Sequence, residues 1–151
     1  MSRRHANVAN LAEVPARGFE KGSRFALANR ALGRATGAQA IGCSHYEVPP
    51  GRTAFPSHYH CANEESIYVL EGTGTLRIGA AQVEVGPGDY ATFPVGPAHA
   101  HQLLNTGSGP LRYLCYAEAF QAPTLYIQKL FEKDVSADYP AFYEKTKNTG
   151  R

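Results

Sequence analysis

The residues best equipped for chemistry are histidines. The chain carries six, and four of them form two tight pairs, His58 with His60 and His99 with His101. Glu65 follows shortly after the first pair. Neutral imidazole is the commonest metal ligand, and a carboxylate adds a hard oxygen donor beside it. Residues two apart on an extended chain share a face. His58 and His60 can therefore close on one ion. A turn through Cys61, Ala62 and Asn63 leads into a new segment whose first inward residue can be Glu65. Such a set suits one divalent transition metal (Fe, Mn, Ni, Cu or Zn) and does not choose among them. A lone histidine is more often a surface or satisfied core residue. An HxH pair followed closely by a glutamate, inside a strand-rich stretch, is a much more specific signal. His99 and His101 share parity with each other, so either can supply the remaining ligand.

These side chains need rigid elements behind them. From Gln39 onward, short apolar and β-branched segments alternate with turn residues. Residues 40–48, 66–70, 73–78, 82–85, 90–93, 100–104 and 111–117 read as strands, punctuated by glycine, proline and asparagine. The run SIYVL at 66–70 reads as a strand buried on both faces. Gly72, Gly74, Gly86 and Gly88 are expected to serve turns that need positive φ, and Asp89 to hold a turn. Tyr46, Tyr59, Tyr68, Tyr90 and Tyr113 read mainly as core or interface aromatics, with Tyr59 pointing away from its histidine neighbours. No helical pattern separates the strands, so an antiparallel all-β sandwich or barrel is expected rather than βαβ units. Residues 1–37 form an N-terminal arm holding a short helix or strand, 38–119 the main domain, and 120–151 a C-terminal extension. In that extension 125–131 could add a strand and 139–147 a short helix.

Composition narrows the class. At 151 residues, 43% hydrophobic and 19% charged, the chain fits one globular domain rather than a disordered polymer. A net charge of +2 with scattered basic residues gives no case for a nucleic-acid partner. No run is long enough to span a bilayer and no leader-like apolar segment follows Arg3 and Arg4, so no membrane partner is expected. Three cysteines, Cys43, Cys61 and Cys115, show no paired spacing and do not form a disulfide framework. Cytoplasmic residence is the expectation.

The stretch from Gly51 through His58, His60 and Glu65 to Gly72 resembles the first motif of the cupin family. The spacer before His58 is one residue longer than usual. The stretch GDYATFPVGPAH at 88–99 resembles the second motif. SIYVLEGTGTL, AHQLLNT and PLRYL are similar to segments of small single-domain bacterial cupins. The resemblance runs from about Gln39 to Ala117. It implies a cupin jelly-roll β-barrel, with His58, His60, Glu65 and one later histidine on the metal. Spacing from Pro94 and Gly96 selects His99, whereas spacing back from Asn105 selects His101. The AHQ context favours His101, leaving His99 behind the ligands at the mouth or as the alternative ligand. The catalytic residues themselves are not readable.

The resemblance further implies a metal-dependent enzyme acting on a small molecule, with oxygenase, isomerase, decarboxylase and lyase chemistry all open. The alternative is a non-catalytic small-molecule or sugar-binding module. Exposed sheet edges need cover, which makes a homodimer the expected assembly.

Overall fold

The structure is a computed structural model, and it describes residues 5–60 and 63–118. Nine strands run through them: β1 (Arg17–Lys21), β2 (Phe25–Ala31), β3 (Ile41–Val48), β4 (Glu65–Glu71), β5 (Gly74–Ile78), β6 (Ala81–Val85), β7 (Tyr90–Phe93), β8 (His101–Leu104) and β9 (Leu111–Glu118). One helical turn, α1 (Leu32–Ala35), follows β2. Six strands form one sheet in the order β1-β2-β3-β9-β4-β7, and three form a second in the order β6-β5-β8. Every strand pairing is antiparallel. This is the all-β, cupin-type architecture that the alternating pattern and the motifs imply.

The seven strands expected from position 40 onward are all present, with ends shifted by a residue or so. β1 and β2 come from residues 1–37, where the sequence shows little periodicity. The pair forms a hairpin, and β2 then joins β3 through contacts such as Asn29 opposite Tyr46. β1 is an exposed edge strand, so no apolar alternation marks it. Residues 125–131 and 139–147 lie outside the described residues.

The core lies between the sheets. Val48, Ile67, Val69, Phe93 and Leu111 come from the large sheet, and Leu76 and Leu103 from the small one. β4 corrects the expectation of burial on both faces. Ile67 and Val69 point inward at 4% and 1% exposure, while Tyr68 and Leu70 face outward at 40% and 41%. An antiparallel strand needs only one apolar face, and the apolar residues on the other face call for a separate explanation. The tyrosines divide similarly: Tyr46 and Tyr113 stack inside the barrel with ring centroids 5.4 Å apart, whereas Tyr68 and Tyr90 are exposed.

Of the four glycines assigned to turns, Gly72 and Gly88 have positive φ, and Gly74 and Gly86 do not. At Gly72 (φ 82°) a Cβ would also fall 2.9 Å from the Leu111 Cα. Gly74 is needed for space instead, because a Cβ there would meet the Leu104 carbonyl oxygen at 2.6 Å. Asp89 does hold its turn, accepting from the Gly86 N–H at 2.7 Å.

Asn105 organises the turn between β8 and β9. It is 1% exposed. Its amide nitrogen donates to the carbonyls of Val48 (2.8 Å) and Gly109 (2.9 Å), and its side-chain oxygen accepts from the Gly107 N–H at 3.0 Å. Alanine at this position removes the donor from the Val48 and Gly109 carbonyls and leaves the Gly107 N–H with the Thr73 carbonyl alone, at 3.2 Å. Asn105→Ala should lower the unfolding free energy by about 3 kcal/mol, read by chemical denaturation. A loss below about 1 kcal/mol contradicts this account of the turn.

Candidate functional site

Residues 52–60 run beside β8 and extend the small sheet through isolated bridges, Thr53 opposite Leu104 and His58 opposite His101. The His58 N–H donates to the His101 carbonyl at 3.1 Å, and the His101 N–H donates back to the His58 carbonyl at 2.8 Å. The His60 carbonyl accepts from the Gly96 N–H at 2.8 Å. His58 and His60 therefore stand in an extended, bridge-pinned segment rather than in a regular strand. They still meet on one side, with ring centroids 5.1 Å apart. Glu65 heads β4, paired with Phe93 on one flank and Ala117 on the other.

Ligand-type atoms of His58, His60, Glu65 and His101 all lie within 4.8 Å of one another. The two Glu65 oxygens face different imidazoles, Oε2 at 3.2 Å from His60 Nε2 and Oε1 at 3.3 Å from His101 Nε2. The His58 and His101 rings are 4.5 Å apart. His58, His60 and His101 are each buried. His99 takes a different part. It ends a 3-10 turn over Pro97–His99 instead of continuing the strand, so the expected shared face with His101 does not arise. Its backbone carbonyl accepts from His101 Nδ1 at 3.0 Å.

A hydrogen bond defines the His58 tautomer. A carbonyl only accepts, so His58 Nδ1, 2.8 Å from the Pro56 oxygen, must carry its proton, leaving Nε2 with a free lone pair. His101 has an acceptor on each side, the His99 carbonyl 3.0 Å from Nδ1 and Glu65 Oε1 3.3 Å from Nε2, so these contacts do not single out one neutral tautomer for that ring. Phe93 stacks on His101 at 3.7 Å and 8° between planes, which locks the ring's rotation. Neither ring nitrogen of His60 has a hydrogen-bond partner, although both are buried. An orphaned buried imidazole costs stability unless something fills its lone pair. A pre-set Nε2 lone pair on His58, two further buried imidazoles and one carboxylate fit a divalent transition metal by donor chemistry and by proximity.

Burial and the neighbouring His101 push the His58 pKa from 6.5 down to about 4, so the ring is neutral and basic-nitrogen-bearing at pH 7. Burial alone would raise the Glu65 pKa. The imidazoles of His101 and His60 outweigh it and hold the carboxyl well below the usual range, hence ionised. Burial, then the Glu65 charge, pushes the Cys115 thiol well above its usual value, so it is a neutral thiol beside the site. An inner cavity of about 20 Å³ adjoins the ligands, with Phe55, Ile67, Leu76, Phe93, Tyr113 and Cys115 in its wall.

Sequence reasoning missed three supports of this site. Phe93, Cys115 and the Pro56 carbonyl sit far from the ligands in sequence or act through backbone, so no spacing marks them. Parity offered one usable signal, since Cys115 opposes Ile67 and so shares the inward face with Glu65. Cys61 lies outside the described residues.

The site makes the metal-free protein acid-sensitive. An unfolded histidine takes up a proton below about pH 6.5, whereas folded His58 resists until about 4. Proton uptake between those values therefore favours unfolding. The stabilisation carried by ionised Glu65, present above its ordinary pKa of 4.5, begins to be lost only below that pH. Metal-free protein should lose about 2 kcal/mol of stability between pH 7 and pH 5 from His58, and His58→Gln should remove most of that slope. Denaturant titrations at the two pH values decide it; equal slopes in both proteins refute the assignment.

Comparison with known proteins agrees with this geometry. Residues 44–116 match the family described as Cupin domain. An uncharacterised protein of Methanocaldococcus jannaschii is 38% identical over 58 residues, and that match covers 38% of this chain and 45% of the relative's length. A protein provisionally named a sugar phosphate isomerase, from Acidithiobacillus ferrooxidans, is 31% identical, with a TM-score of 0.61 over 66% of this chain and 67% of that one. A sugar phosphate isomerase from a cupin superfamily, from Silicibacter pomeroyi, is 26% identical, with a TM-score of 0.68 over 75% and 76% of the two chains. With both motifs, the antiparallel sheets and these likenesses in agreement, the chain belongs to the cupin superfamily.

Proposed function

We propose that the chain is a metal-dependent enzyme acting on a small molecule, with one divalent transition metal held by His58, His60, Glu65 and His101. The observation that carries this is the His60 imidazole, buried and without a hydrogen-bond partner inside a cluster whose ligand-type atoms lie within 4.8 Å of one another. Three imidazoles and a carboxylate leave coordination positions open for a substrate oxygen, and a bound metal would supply Lewis-acid or redox chemistry there. The chain's own residues orient the ligands, through Pro56, His99 and Phe93, and exclude water on the inner side, through the apolar wall.

The names of the solved relatives point to isomerisation of a sugar phosphate. Among the described residues, however, the inner wall holds no lysine or arginine. A phosphate would have to be met elsewhere. The inner cavity, about 20 Å³, has room for no more than a water-sized group beside Phe55 and Ile67, so the body of a substrate would lie outside it.

Protein purified without added metal should contain close to one equivalent of a transition metal by elemental analysis. His60→Ala should reduce that occupancy at least tenfold. Wild-type protein that holds no metal and binds none to saturation ends this reading.

The proposed assembly is a homodimer, in the cytoplasm. Among the described residues no helix is long and apolar enough to cross a membrane. Among the described residues β1 and β7 are the edges of the large sheet, and an open edge offers a row of backbone donors and acceptors to a second copy. Light scattering should give a dimer mass at micromolar concentration, and a monomer mass rejects this assembly.

A further inference from the structure

The outer face of the large sheet is covered unevenly. On the β2–β3 side, Arg30 donates to the Val14 carbonyl, so the chain ahead of β1 passes over that half. Val14 and His45 are buried there, at 6% and 5% exposure. The β9-β4-β7 side is different. Tyr68, Leu70 and Tyr90 stand out at 40%, 41% and 63%, with Ile41 at 65% at the start of β3. A groove of about 210 Å³ opens at this end, between Ile41, Glu64, Ser66, Tyr90, Thr92 and Tyr116. Exposed apolar side chains grouped beside a groove with a partly polar lining offer an apolar segment a place to pack.

The chain itself leads there. Glu118 pairs with Ile41 at the groove, and Ala117 forms part of its lining. Beyond it come residues 119–151, whose most apolar run is LYIQKLF at 125–131. We propose that residues 125–131 dock in this groove on their own chain.

Reach favours that occupant. Leu125 lies seven residues past Glu118, and an extended chain covers about 23 Å in that distance. Crossing from β9 over β4 to β7 needs only about 10 Å, at roughly 4.8 Å per strand. A short tether also holds the segment at an effective concentration of about a millimolar, far above a second copy at micromolar concentration. Charge agrees, since Lys129 lies mid-run and Glu64 lines the groove. The docked segment would cover the outward apolar residues of β4 and β7 that the core does not use.

The test uses the full chain, with trypsin cleavage after Lys129 followed by mass spectrometry. Two variants remove one side each. Ile41→Thr/Tyr90→Thr strips the groove but keeps strand-forming residues, and Leu125→Asp changes the segment without touching the described barrel. Each should speed cleavage after Lys129 at least tenfold with the melting temperature of the barrel unchanged. Combining them should add little, because both break the same contact. Cleavage at the wild-type rate in both variants overturns the proposal. Protection at Lys129 that fades on hundredfold dilution assigns the groove to a second copy and overturns it as well.

Discussion

The reciprocal pair of backbone hydrogen bonds between His58 and His101 is the contact on which the site depends. It joins a segment with no regular strand pairing of its own to the edge of the small sheet. Side chains can be exchanged around it, but the two imidazoles face each other because their backbones are bonded to each other. The ring-nitrogen contacts to Pro56 and His99 then act on rings already in place. Each sheet contributes to the cluster, with Glu65 from the large one and His101 from the small one. The site is thus a seam between layers, and its precision is inherited from the packing of Phe93 and the apolar wall.

This arrangement reconciles two opposing demands. The ligands of the proposed metal must be neutral or anionic and dehydrated, yet burying such groups is unfavourable unless they are paired. His58 and His101 satisfy one nitrogen each on backbone carbonyls, and the Glu65 oxygens lie 3.2 and 3.3 Å from the Nε2 atoms of His60 and His101. His60 is the exception. Its unmet nitrogens show where the chain accepts a local loss of stability, as functional sites commonly do.

Much of this was legible in the sequence, and the limits have physical causes. The meeting of His58, His60 and Glu65 could be read because extended backbone restricts which residues two apart share a side. The strands from position 40 could be read because one-sided burial imposes alternation. β1 escaped because an exposed edge strand needs no apolar face. The outward Tyr68 and Leu70 misled because periodicity cannot tell a second buried face from an apolar surface awaiting cover. The parity argument at His99 failed because Pro97 opens a 3-10 turn, which breaks the period of two just before β8. Phe93 and the Pro56 carbonyl act on the ligands through stacking and backbone, and neither leaves a mark in residue spacing.

The pairing of β3 with β9 has a consequence of its own. These strands form the middle of the large sheet, and their partners lie roughly seventy residues apart in the chain. Everything from the histidine segment to β8 is synthesised between them. Closing so long a loop is entropically uphill before any contact rewards it. Strand β9 therefore arrives late, and until it does β3 and β4 each keep a bare hydrogen-bonding edge. A nascent chain of this protein passes through a stage in which two inner strands of its large sheet are open to pairing with other chains. Its exposure to aggregation during synthesis is set by the order of strands in the sheet, independent of how stable the finished barrel becomes.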